Sequence, residues 1–60
     1  MAGASWYLSR SNHSVFEVRD WCKDNLTEET WVIDDTMAHG VFEVCVGIEE
    51  EAVAFKLMWL

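Results

Sequence analysis

Apolar and polar positions change their spacing several times along this chain, and each change marks an element. From Ser5 to Ser9, Trp6 and Leu8 fall on one side and Tyr7 on the other, the alternation of a half-buried strand. Ser11, Asn12, His13 and Ser14 break it. Ser14 followed three residues later by Glu17 is a capping-box signature ahead of an apolar-periodic run. The spacing predicts a helix from about Val15: Val15, Val18, Cys22 and Leu26 share one stripe with Trp21 beside it, while Glu17, Asp20, Lys23 and Asp24 fall mainly outside. A strand over His13 to Val18 competes, because Val15, Phe16 and Val18 suit β structure, but the length of the run to Leu26 favours the helix.

After the polar stretch Asn25 to Thr30, Trp31 and Ile33 alternate with Val32 and Asp34 as a second strand. Asp35 to Gly40 reads as a loop whose Met37 folds back on the core. Val41 to Val46 is the clearest strand, with Phe42, Val44 and Val46 on one face and Val41, Glu43 and Cys45 on the other. Gly47 ends it. Glu49, Glu50 and Glu51 then suit a first helical turn, where carboxylates meet the partial positive charge of unpaired N–H groups. Ile48, Ala52, Phe55 and Trp59 continue at near-helical spacing, although Phe55, Leu57 and Trp59 alternate equally well as a short terminal strand. The order β-α-β-β-α, with or without that last strand, is an α+β two-layer sandwich of the split βαβ kind, a reduced ferredoxin-like arrangement. Strands one and two should run parallel and strands two and three antiparallel, with both helices on one face. The other face, carrying some of Tyr7, Val32, Val41 and Cys45, then has no cover, which points to a partner.

Sixty residues without Pro, repeats or low-complexity segments make one small domain, with residues 1–4 expected to fray. The longest uncharged stretches fall far short of the roughly 20 apolar residues of a bilayer span, and the start has neither a cationic region nor an apolar run like a secretory signal. A cytoplasmic protein is expected. Two cysteines, Cys22 and Cys45, are too few for a disulfide-stapled secreted scaffold and read as reduced core residues. With His13 and His39 they make a zinc inventory, but no close ligand pair such as C-x2-C occurs.

The net charge of -7 is unevenly placed. Up to Leu26, Arg10, Arg19 and Lys23 balance Glu17, Asp20 and Asp24. From Thr27 onward only Lys56 opposes Glu28, Glu29, Asp34, Asp35, Glu43, Glu49, Glu50 and Glu51. Such a field repels nucleic acid and anionic membranes and attracts basic protein surfaces. The plainer role of these acids is solubility.

The segment Glu50-Glu51-Ala52-Val53-Ala54-Phe55-Lys56-Leu57-Met58-Trp59 resembles the ending E-[ED]-A-x-x-F-x-L-x-W of many short proteins of tailed bacteriophages. Trp21-Cys22 on the first helix and an aromatic, β-branched strand before the acidic turn are similar to that group as well. The resemblance implies an origin in an infected bacterial cell and implies no reaction, cofactor or catalytic residue.

Candidate chemistry is sparse. Asp34 and Asp35 are adjacent acids, yet on a strand neighbouring side chains point to opposite faces and cannot converge on one metal ion. His13 and His39 sit in polar breaks with no nucleophile and orienting acid at a recognised spacing. Phosphate-cradling glycine loops and serine elbows are missing from the sequence, so no enzyme and no cofactor is expected. The aromatics carry the remaining signal. Trp6, Trp21, Trp31 and Trp59 exceed what so small a core encloses easily, so one or two should lie partly exposed as interface anchors. The expected site is therefore Trp31 or Trp59 as anchor, with Asp34, Asp35, Glu49, Glu50 and Glu51 as steering charges on a basic protein partner. An inhibitor or DNA mimic acting on a nucleic-acid-handling enzyme would fit it, and a homo-oligomeric phage assembly component is the alternative.

Overall fold

A computed structural model describes residues 3–36 and 39–60. The elements run β1 (Ala4–Ser9), α1 (Val15–Asn25), β2 (Trp31–Asp34), β3 (Val41–Val46) and α2 (Glu49–Trp59). The sheet order is β1-β3-β2 with both pairings antiparallel, so β1 and β2 share a direction and β3 lies between them. This is the expected split βαβ order. The C-terminal segment, which alternation alone allowed as a strand, continues as helix to Trp59. Ala4, expected in a frayed end, is the first residue of β1 and lies across from Val46. Met37, expected to fold back on the core, lies outside the described residues.

Register sorts the side chains into two faces. Trp6 opposite Val44 and Leu8 opposite Phe42 on β1, with Trp31 opposite Val46 and Ile33 opposite Val44 on β2, make the inner face. Over it the α1 stripe buries Val15, Val18, Cys22 and Leu26, and α2 buries Ala52 and Phe55. Phe55 is the centre of an aromatic cluster. Its ring stacks on Trp6 at 5.0 Å, meets Trp21 edge-on at 5.9 Å and lies 6.3 Å from Trp59. Trp59 in turn meets Trp21 at 6.4 Å and His13 at 5.9 Å, so all these indoles are partly buried against one core.

Local chemistry explains the ends of the elements. The Ser14 hydroxyl accepts from the Glu17 N–H at 3.4 Å at the start of α1, and the Leu26 N–H closes its end on the Cys22 carbonyl at 2.8 Å. Ile48 offers α2 no side-chain cap. Its first turn is tied down instead by Glu51, whose carboxylate accepts from the Thr27 N–H at 3.0 Å, the Thr27 hydroxyl at 2.7 Å and the Thr30 hydroxyl at 3.2 Å. That clasp joins the α1–β2 loop to the start of α2. Gly40 precedes β3 at φ 71, a left-handed conformation that favours glycine. At Gly3 a side chain has no room, because a Cβ would collide with the Val46 carbonyl oxygen.

Candidate functional site

The structure divides the expected steering acids between the two ends of the sheet. β3 runs the length of the sheet between them, from Val41 beside Ser9 to Val46 beside Ala4 and Trp31. Asp34 and Asp35 therefore lie at the Val41 end, and Glu49, Glu50 and Glu51 follow Val46 at the other. Each acid also differs in what it already holds. Asp34 accepts from the Thr36 hydroxyl at 2.7 Å and the Thr36 N–H at 3.0 Å, and the hydroxyl foremost holds its carboxyl below the usual range. Asp35 pairs with Arg19 at 3.4 Å, and its carbonyl accepts from the Arg10 guanidinium. Glu51 is committed to the threonine clasp, and its carboxyl is lowered first by the Thr27 hydroxyl. Glu49 and Glu50 are exposed.

The two expected anchors are half-buried. Trp31 and Trp59 pack against the core, and the indole N–H of each is covered without meeting an acceptor. Their rings support the inner face. The large apolar side chains that leave the sheet for solvent are Tyr7, 63% exposed, and Val32, 61% exposed.

Both belong to the outer face, which no helix covers among the described residues and which has three cross-strand rows. Ser5, Cys45 and Val32 form one, Tyr7, Glu43 and Asp34 the next, and Ser9 and Val41 the last. The middle row sets two carboxylates directly opposite each other on neighbouring strands, an unfavourable pairing when no base intervenes. Among the described residues the one ion pair is that of Arg19 with Asp35, so Glu43 and Asp34 stay unneutralised. Their field reaches Cys45, whose thiol is pushed up by burial first and then by the charge of Glu43. The arrangement is an anionic strip with Tyr7 at one end and Val32 beside it. Chemically it suits a guanidinium or ammonium flanked by apolar surface, because a cation relieves the repulsion between the two acids.

Sequence reasoning placed Tyr7, Val32 and Cys45 on this face but gave Glu43 no role. The alternation of β3 was the available signal, since Glu43 lies between Val41 and Cys45 on the outer side. No group of three or more His, Cys, Asp or Glu among the described residues is placed to hold a metal ion. Nor is any helix among them long and apolar enough to cross a membrane. The chain matches no family model, no curated protein and no solved structure.

Proposed function

We propose that this chain is a non-catalytic protein-binding module that docks the outer face of its sheet on a basic surface of another protein. The observation that carries this reading is the Tyr7, Glu43 and Asp34 row: two carboxylates faced across strands without a base, beside exposed Tyr7 and Val32. The net charge of -7 supports it by drawing cationic partners into encounter. Asp35, Glu49 and Glu50 serve as steering charges, whereas Trp31, Trp59 and Glu51 hold the scaffold. The phage-like ending favours a partner in an infected bacterial cell, and a nucleic-acid-handling protein with a cationic groove has the matching chemistry. An inhibitor of such a protein is the biological form this reading takes.

A synthetic peptide alternating Arg with Leu, titrated into isotope-labelled protein, tests it. Resonances of Tyr7, Val32, Glu43 and Cys45 should move together, and the binding should weaken steeply with added salt. Glu43→Gln combined with Asp34→Asn should weaken it severalfold while leaving the fold intact. Shifts confined to Glu49 and Glu50, or binding indifferent to salt, would overturn the proposal.

A further inference from the structure

The opposite flank of the sandwich is a second surface, built from the free edge of β1 and the outward side of α2. β1 pairs with β3 through six consecutive residues without a bulge, and nothing covers its other edge among the described residues. Natural edges are commonly protected by charge, proline, a bulge or brevity. The β2 edge has two of these, being four residues long and ending in Asp34. β1 has none: Ala4, Ser5, Trp6, Tyr7, Leu8 and Ser9 carry no charge and no proline.

Beside that edge lies an open groove of about 490 Å3 between β1 and α2, lined by Ala4, Trp6, Glu49, Ala52, Val53 and Lys56. Above it α2 turns an apolar side outward. Leu57 is 81% exposed, and Val53, Met58 and Leu60 are each more than half exposed. Past its acidic first turn, and apart from Lys56, α2 is apolar on both its inward and outward sides, and such a helix expects cover.

We infer that a second copy of this chain occupies this flank, with β1 pairing antiparallel to β1 across a two-fold axis to give a continuous six-stranded sheet. Identical strands are self-complementary in this pairing, since residue i meets j and j meets i. The same axis turns the two α2 helices antiparallel and brings their Val53 and Leu57 sides together. Charge agrees as well. Glu49 and Lys56 are the two charged residues lining the groove, and reversal of the helix carries the Glu49 end of one copy toward the Lys56 end of the other. A cationic peptide finds one acid here and is opposed by Lys56, so the basic partner proposed for the outer face does not suit this flank. An interface of ordinary size covers about 800 Å2 per protomer, about a fifth of the 4045 Å2 surface of this chain.

Sedimentation equilibrium of the whole chain, from micromolar concentrations up to about 1 mM, is the first measurement. The mass should rise from 7.0 kDa toward twice that value. Leu57→Glu, a change at an exposed position that leaves the core alone, should raise the dissociation constant roughly tenfold or more. Hydrogen exchange supplies the strand-level readout: amides along all of β1 should be protected in the dimer, and alternate ones should exchange freely on dilution. A mass fixed at 7.0 kDa throughout overturns the inference. So does a dimer that ignores Leu57→Glu and leaves alternate β1 amides open, since it must use another face. Glu43→Gln with Asp34→Asn should not change the mass, so this inference and the outer-face proposal fail separately.

Discussion

Replacing Phe55 tests whether the aromatic cluster under α2 holds the sandwich together. The ring is fully buried and lies 5.0 to 6.3 Å from the rings of Trp6, Trp21 and Trp59. Truncating a buried Phe to Ala costs about 3–5 kcal/mol, because the lost transfer energy is joined by the cavity left behind. Sixty residues at the usual ~0.05–0.15 kcal/mol each have only about 3–9 kcal/mol in total. Phe55→Ala should therefore leave much of the chain unfolded in plain buffer. Phe55→Leu is the graded version: it keeps most of the apolar volume and gives up the ring-to-ring contacts, at a cost of about 1–2 kcal/mol. With a urea slope near 1 kcal/mol/M for so small a chain, that is a midpoint lower by ~1–2 M. Tryptophan fluorescence is the natural probe, since three indoles surround the altered site. Phe16→Ala is the control, at a side chain 74% exposed on α1, and it should stay within about 0.5 kcal/mol of the parent. Equal shifts for Phe16→Ala and Phe55→Ala, or an unmoved midpoint in Phe55→Leu, would refute the cluster as the centre of stability.

Three further outcomes follow from the protonation chemistry. The Glu51 carboxyl titrates below its ordinary 4.5 in the folded chain, so the threonine clasp is at full strength above about that pH and is lost as pH falls through the folded value. Glu51→Gln should flatten the acid limb of the stability curve, and urea midpoints at neutral and acid pH that fall equally in both proteins would contradict the clasp. Burial pushes the Cys22 thiol up to about 11, against an ordinary 9.0, so the unfolded chain loses that proton first and stability should decline above pH 9. At mildly alkaline pH an alkylating reagent should modify half-buried Cys45 slowly and Cys22 only after denaturation, as followed by mass spectrometry. Equal rates at the two thiols would contradict the burial of Cys22.

Most of the fold was legible because its elements bury one face each. The stripe Val15, Val18, Cys22 and Leu26 and the alternation of Phe42, Val44 and Val46 are the residues that enter the core. The ending was harder to read, since a segment apolar at Phe55, Leu57 and Trp59 satisfies both periods. Helix wins there because Ala52 and Phe55, one turn apart, reach the same core. The candidate site was less legible. Asp34 and Asp35 stand apart from Glu49, Glu50 and Glu51 by one loop and one strand, and that six-residue strand carries the chain from one end of the sheet to the other. The aromatic count pointed to partly exposed indoles, and all four are only partly buried, but it did not point to the aliphatic residues at and after α2 that stand further into solvent, Leu57 foremost. The signal for that was present: after its acidic first turn α2 has only Lys56 as a charged residue.

The placement of β3 also governs when this protein can fold. Ala4 finds its partner only at Val46 and Trp31 at the same residue, so neither outer strand has a neighbour until the central one is made. During synthesis the first two-thirds of the chain can form α1 but no ladder, and it must wait as a loose hairpinless segment with Trp6, Trp21 and Trp31 in water. Closing those long loops is the slow entropic step. Until residues through Val46 are available to pair, the aromatic-rich chain stays open to chaperones and proteases.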